Sequence, residues 1–150
     1  MRLAKPQIKA CTAVQLLLTA LVCLFTGPSA GAAPPPPGPE ATRTELRHWF
    51  AQLRDGGAID VRAPLAWEYT FSAVDGRKLE ALAPTLVASG YRIVSLQSTA
   101  TGLAQLRVAK VELHTPLTLE RRNAELRVLA GAEGAVSYGG VIVGPATGAR

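Results

Sequence analysis

The sequence predicts an α+β fold in which one antiparallel sheet carries its helices on a single face. The stretch from Leu65 to Ser72 alternates strictly between apolar and polar residues, as a strand with one buried face does. Later segments alternate between the periodicities of helix and strand, and short turn sequences separate them. After a first helix the order is β-α-β-β-α-β. Split β-α-β units in this order predict a ferredoxin-like sandwich with an N-terminal accessory helix.

A capping box marks the start of the accessory helix. The Thr42 hydroxyl and the Glu45 carboxylate are spaced so that each can satisfy a free backbone amide of the first turn. Apolar residues then recur on one helical face at Leu46, Trp49, Phe50 and Leu53. Asp55-Gly56-Gly57 ends the helix. Because this helix is short, we expect it to pack on a larger body.

The first strand places three aromatic residues, Trp67, Tyr69 and Phe71, on its apolar side. RNA-recognition modules of this topology stack bases on aromatic residues of the sheet, which is one interpretation of the row. The opposite side of the strand is polar and suited to water, and the third strand lacks the aromatic pattern of those modules. The sequence therefore predicts that the aromatic row faces the helices and forms core.

A second helix follows Asp75-Gly76, and a second strand is predicted over Tyr91 to Gln97. Pro84 lies inside the helical pattern, where it removes a backbone donor and its ring clashes with the preceding turn. We expect either a kink or a helix that restarts at the proline. The apolar face of this helix comprises Leu79, Leu82, Leu86 and Val87.

The third strand is predicted over Ala104 to Leu113. Its apolar phase shifts between Val108 and Val111, which indicates a bulge or a strand covered on both faces. Thr115-Pro116 then provides an N-cap and a proline at the first position of a third helix. A glycine-rich stretch separates this helix from a short last strand over Val136 to Val143.

The first 32 residues are typical of an export signal. Three basic residues precede an apolar stretch from Ala10 to Phe25, and Ala30-Gly31-Ala32 offers the small side chains that a signal peptidase requires. We therefore expect cleavage before Ala33 and a periplasmic or secreted protein that meets the membrane only transiently, through its leader. An uncleaved anchor and a lipoprotein modified at Cys23 are the alternatives.

A proline-rich stretch over residues 33–41 follows the leader. Its four successive prolines favour an extended polyproline II conformation without internal hydrogen bonds. The sequence therefore predicts a linker over these residues and one ferredoxin-like domain over residues 42–150.

Charge and cysteine content exclude several classes of function. Three of the 16 basic residues precede the apolar stretch, so 13 remain against 11 acidic residues, which leaves a net charge of +2. That excess is too small to indicate nucleic-acid binding, which needs clustered phosphate contacts. Both cysteines, Cys11 and Cys23, lie in the apolar stretch. The predicted domain therefore has no disulfide, thiolate metal site or cysteine nucleophile.

No motif indicates a catalytic, cofactor-binding or metal site. The two histidines, His48 and His114, have no second histidine or cysteine at metal-ligand spacing, so we expect both on the surface. Neither a nucleophile elbow nor a phosphate-binding glycine pattern is present in the sequence. The sequence predicts a protein that is not an enzyme and has no cofactor.

Arginines on the third helix form the densest positive patch of the chain. Arg121, Arg122 and Arg127 lie there with acidic residues between them. Mixed charges on an outer helix face are typical of a solvated surface with local ion pairs. The alternative is a surface for a partner, to which Tyr138 of the glycine-rich tail also contributes.

Three motifs point to one family. Asp55-Gly56 and Pro64 precede the aromatic strand "WEYTF", and "LEALAPTLVASGYRIVSLQ" is a leucine-rich helix that closes on a Gly-Tyr pair opening a strand. The strand and Thr-Pro-capped helix "VAKVELHTPLTLERRNAELRVLA" precede a glycine-rich tail with a tyrosine. The stretch from about Leu53 to Tyr138 therefore resembles the regulator of ribonuclease E activity B family.

The resemblance implies a ferredoxin-like fold and a non-enzymatic protein, since the family's namesake binds the RNA-degrading endonuclease in the cytoplasm and restrains it. Taken with the leader, it predicts an exported regulatory module that recognises an unidentified protein partner. Two alternatives remain open: a cytoplasmic regulator of ribonuclease E, and a small periplasmic ligand-binding protein or enzyme.

Overall fold

A computed structural model describes residues 34–57, 59–100 and 102–145 of the chain. The predicted leader, with the cleavage residues Ala30, Ala32 and Ala33, lies outside the described residues. The helices and strands are α1 (Arg43–Asp55), β1 (Leu65–Ala73), α2 (Gly76–Ala88), β2 (Arg92–Ser98), β3 (Ala104–Glu112), α3 (Pro116–Ala132) and β4 (Val136–Gly144). Within this part of the chain, no helix is long and apolar enough to cross a membrane.

The four strands form one sheet in the order β2-β3-β1-β4, and every neighbouring pair is antiparallel. This is the order of a ferredoxin-like fold, because the two split β-α-β units place β1 and β3 at the centre and β2 and β4 at the edges. The predicted α+β fold class is therefore confirmed.

The aromatic row of β1 forms the centre of the core. Trp67, Tyr69 and Phe71 are each at most 1% exposed, while the residues between them are only half-buried. Apolar side chains from all three helices join the same core, so the helices cover the aromatic face. Burial of large aromatic side chains is the main source of stability in a domain of this size. The predicted core role of the row is confirmed.

The accessory helix α1 begins at the predicted capping box. The Glu45 carboxylate accepts from the backbone N–H of Thr42 at 2.8 Å, and the Glu45 N–H donates to the Thr42 hydroxyl at 3.4 Å. Two aromatic residues of α1 contact the indole of Trp67: Trp49 at 6.3 Å edge-on and Phe50 at 6.0 Å stacked, measured between ring centroids. Helix α1 is thus packed on β1 through aromatic contacts.

The proline-rich segment, which is described from residue 34 to residue 41, contacts the domain. The Trp49 indole N–H donates to the carbonyl oxygen of Pro34 at 3.1 Å. The carboxylate of Glu40 forms an ion pair with Arg127 of α3. A side chain at Gly140, whose φ is +109°, would meet Pro39 at 3.7 Å. The segment therefore lies against α1, α3 and β4.

Helix α2 differs from its prediction in two respects. It runs as one element from Gly76 to Ala88 with Pro84 inside, so a restart at the proline is wrong. Val87 is 51% exposed, and Ala83 takes its place on the buried face. The exposed position of Pro84 lets its ring project into solvent.

The predicted bulge in β3 is wrong. The register between β1 and β3 is unbroken, from Leu65 opposite Glu112 to Ala73 opposite Ala104. The apolar phase shifts because Lys110 and Glu112 lie opposite Trp67 and Leu65 and share their face of the sheet. Two charged side chains therefore point toward the helices at this end of β3.

We expect Trp67→Ala to lower the free energy of unfolding by about 3–5 kcal/mol, because it removes a buried indole and leaves a cavity. Val74→Ala is the control: Val74 is 80% exposed, and its truncation should cost less than about 0.5 kcal/mol. Urea denaturation followed by circular dichroism measures both. Equal costs for the two variants would contradict the central position of Trp67.

Candidate functional site

A group of polar side chains lies between the sheet and the N-terminal half of α3. Tyr69 comes from β1, Lys110 and Glu112 come from β3, and Arg122 comes from α3. We call the group the polar cluster, and its members are Tyr69, Tyr91, Lys110, Glu112, His114 and Arg122. Polar groups in such a position are costly unless they are paired, so their partners decide what the cluster can do.

His114 is the most buried member with an ionisable nitrogen. It is 6% exposed, and its Nε2 lies 3.0 Å from the Tyr69 hydroxyl. Its Nδ1 lies 3.2 Å from the hydroxyl of Thr118, in the first turn of α3. The imidazole ring packs on Trp67 in a T-shaped arrangement, with 4.9 Å between ring centroids. The prediction of a surface histidine is therefore wrong for His114, whereas His48 is exposed as predicted.

Burial lowers the pKa of the His114 imidazole below its ordinary value of 6.5, and the nearby Glu112 carboxylate only partly opposes this effect. Glu112 Oε1 lies 3.7 Å from His114 Nε2. The low pKa keeps the imidazole neutral at neutral pH, so it acts as a hydrogen-bonding link between β1 and α3.

Glu112 holds the cations of the cluster together. Its Oε2 accepts from Arg122 Nη2 at 2.9 Å and lies 3.6 Å from Lys110 Nζ. Arg122 also donates to Glu125 at 3.2 Å, one turn along α3. The Glu112 side chain is only 15% exposed, so its ion pairs are less screened than those on an open surface. This pairing fixes α3 to β3.

Tyr91 provides an aromatic wall beside these cations. Lys110 Nζ lies 5.1 Å from the centroid of its ring, and the guanidinium carbon of Arg122 lies 6.0 Å from it. The ring also meets Tyr69 edge-on at 5.6 Å. Burial raises the pKa of Tyr91 to about 12 and raises the pKa of Tyr69 as well, so both phenols are neutral at neutral pH.

This arrangement suits positioning more than bond-making chemistry. The carboxylate of Glu112 is already paired with two cations, and the phenols are far from ionisation at neutral pH. Across the described residues, no group of three or more His, Cys, Asp and Glu side chains is arranged to hold a metal ion. The polar cluster sets the position of α3 on the sheet. The opposite side of α3 points away from the sheet and carries a separate surface.

Part of the outward side of α3 is apolar. An open groove of about 580 Å³ lies along it, and its lining residues are Ala124, Glu125, Val128, Leu129 and Ala132. We call this surface the α3 groove. Val128 is 74% exposed, although α3 already buries Leu119 and Leu126 on its inward side. Helix α3 therefore carries apolar side chains on two faces.

The four residues of the predicted partner surface have different surroundings. Arg121 is exposed and lies three residues before Ala124, on the same side of α3 as the groove. Arg122 belongs to the polar cluster, and Arg127 pairs with Glu40 of the proline-rich segment. Tyr138 is 7% exposed and donates its hydroxyl to Asn123 Oδ1 at 2.8 Å, so it lies in the core. The sequence pattern did not single out Ala124 and Val128, which a search for apolar residues four apart would have found.

The strand order and the helices on one face define a ferredoxin-like α+β domain. Residues 43–140 match the model of a family described as regulator of ribonuclease activity B. The match covers most of the chain, and the chain belongs to this family, as the sequence motifs predicted. Its role is that of a regulatory, protein-binding domain, because the family comprises regulators rather than enzymes. None of the curated proteins compared with the chain matches it.

Stability should depend on pH through His114. The unfolded chain takes up a proton near pH 6.5, whereas the buried imidazole resists it, so the free energy of unfolding should fall as the pH drops below about 6.5. A difference of one bound proton between the unfolded and folded chain changes the free energy of unfolding by at most about 1.4 kcal/mol per pH unit. Urea titrations of His114→Gln should lack this slope, and His48→Gln is the control that should keep it. A slope unchanged in His114→Gln would contradict the assignment.

Tyr138→Phe should lower the free energy of unfolding by about 1–3 kcal/mol, because it leaves the buried Asn123 amide without its donor. The ring contact with Phe71, at 5.5 Å between centroids, should survive the substitution. Thermal and urea denaturation measure the effect. If stability were unchanged and partner binding alone were lost, Tyr138 would belong to a binding surface instead.

Proposed function

We propose that this chain is an exported, non-enzymatic module that regulates a protein partner by binding it through the α3 groove. One observation carries the proposal: Val128 at the centre of the groove is 74% exposed on a helix that already buries its other apolar face. A helix at the surface of a domain normally has one apolar stripe and a charged opposite side. A second apolar stripe is typical of a surface that a partner covers.

The borders of the groove fit a protein partner. Glu125 and the preceding Arg121 flank apolar residues on the same side of α3, which gives an apolar centre with a charged rim. Protein interfaces have this composition, since their cores exclude charge and their rims remain polar. Membership of the regulator of ribonuclease activity B family supports recognition of a protein over chemistry.

The leader supports the export part of the proposal. Basic residues, an apolar stretch and Ala30-Gly31-Ala32 follow one another in the order of a secretory signal. Cleavage before Ala33 would leave a chain that begins just before Pro34, whose carbonyl accepts the Trp49 indole N–H. The processed protein would carry a net charge of +2 and meet its partner outside the cytoplasm.

The family match favours one competing function, a cytoplasmic regulator of a ribonuclease whose first residues are not removed. A small periplasmic ligand-binding protein or enzyme is a weaker candidate, because such sites combine a pocket with convergent polar groups. The α3 groove is open, and apolar residues line it apart from Glu125.

The groove is tested by Val128→Lys in the protein purified from cells that express the whole chain. The charge should weaken capture of the partner from the extracytoplasmic fraction by at least about 10-fold, because it enters the centre of the proposed interface. Ile142→Lys is the matched control, since Ile142 is 51% exposed and lies on β4, opposite Glu68. Both variants should unfold at the wild-type urea concentration. Undiminished capture by Val128→Lys would overturn the assignment of the groove.

The location is tested separately by determining the N-terminus of the protein in fractionated cells. A chain that begins near Ala33 in the extracytoplasmic fraction supports export. A chain that retains residues before Ala30 and fractionates with the cytoplasm would favour the competing ribonuclease regulator.

A further inference from the structure

Strand β2 forms one edge of the sheet and, within the described residues, pairs only with β3. Five of its seven residues are exposed. Natural edge strands are commonly protected by charged side chains, prolines or β-bulges. The sequence of β2, "RIVSLQS", contains no proline, and its only charged residue, Arg92, lies at the start. The remaining part of this edge is therefore uncharged.

An irregularity of register at Val94 places the other two apolar residues of β2, Ile93 and Leu96, on the same face of the sheet. Residues three apart in a regular strand point to opposite sides. The register shifts between Ile93 and Ser95, so that Ile93 lies opposite Val108 and Leu96 lies opposite Leu106. Because Val108 and Leu106 both face the helices, Ile93 and Leu96 share that face, and they are 41% and 40% exposed.

Beyond the irregularity, the edge is regular. From Ser95 to Ser98 each residue pairs in turn with one residue of β3. We propose that a second copy of the chain adds to this edge, with the two β2 strands antiparallel about a two-fold axis at Leu96. The result is a dimer with a continuous eight-stranded sheet. This inference is independent of the function proposed for the α3 groove.

Self-pairing fits the side chains of this edge. Residues directly opposite each other in an antiparallel pair share a face, so an axis at Leu96 brings the two Leu96 side chains together. Ser95 then lies beside the partner's Gln97, and both are neutral hydrogen-bonding residues. The two Arg92 side chains are about 26 Å apart at 3.3 Å per residue, which exceeds the Debye length of about 8 Å, so they do not repel.

A second copy also fits this edge better than an unrelated protein does. Complementary charges steer the recognition of one protein by another and exclude wrong partners. The regular segment from Ser95 to Ser98 has no charged residue with which to make that distinction. Two-fold pairing uses the same edge of both copies, and it closes the assembly at two chains instead of leaving an open fibre.

The dimer leaves the α3 groove accessible. Helix α2 packs on β2 and β3, whereas α3 packs on β4 at the other side of the sheet and on α1. A dimer through β2 therefore carries two α3 grooves on its two outer sides. Two linked binding sites raise the affinity for a partner with two matching sites without any new contact.

Sedimentation equilibrium of the protein purified from cells expressing the whole chain tests this proposal. An interface of one strand from each copy is small, so we expect a dissociation constant in the micromolar range and measure between about 10 and 200 µM. The wild type should approach twice the mass of the processed chain. Leu96→Lys should remain monomeric over this range, because it places two like charges together at the axis.

Ile142→Lys on β4 is the control and should dimerise as the wild type does. Far-ultraviolet circular dichroism and urea denaturation check the fold of Leu96→Lys, which should be kept because the Leu96 side chain is already partly exposed. A wild type that stays monomeric at about 200 µM would overturn the proposal. So would a dimer that persists in Leu96→Lys. Dimerisation lost in Val128→Lys but kept in Leu96→Lys would also overturn it and assign the contact to α3.

Discussion

The packing of the Trp67 indole is the contact on which the other features of the molecule depend. The ring belongs to the central strand β1, contacts Trp49 and Phe50 of α1, and packs on His114 in a T-shaped arrangement. Its N–H donates to the backbone carbonyl of Glu112 at 2.9 Å. A single side chain thus joins the accessory helix, the sheet and the polar cluster. Loss of its shape would disturb all three at once, because a close-packed interior transmits a local change in volume.

The polar cluster also fixes the position of the helix that carries the α3 groove. Glu112 anchors Arg122, and Thr118 meets His114, so the first two turns of α3 are fixed to β3 and to the loop before the helix. A helix held in this way presents its outward side chains in one orientation, which lowers the entropy lost on binding. Under the function proposed for the α3 groove, the buried charges would serve recognition indirectly, by fixing the orientation of the surface on the other side of α3.

Local sequence patterns predicted much of the fold, but they did not predict the polar cluster. The capping box at Thr42 and the alternation along β1 are short-range signals that act on neighbouring residues, and both predictions were confirmed. The interior position of His114 depends on Tyr69, which is 45 residues away in the chain. No local pattern carries that information. The phase shift in β3 was visible in the sequence, but a bulge and an inward-facing pair of charges produce the same pattern.

The proline-rich segment also changes where the domain begins. The family match starts at residue 43, and the capping box starts α1 at the same point. Packing begins earlier, because Pro34 accepts the Trp49 N–H and Pro39 lies against Gly140. A chain that began at residue 43, where the family match starts, would keep every helix and strand described and still expose an indole donor that is now satisfied. The packed part of the domain therefore begins before the segment that the family model matches.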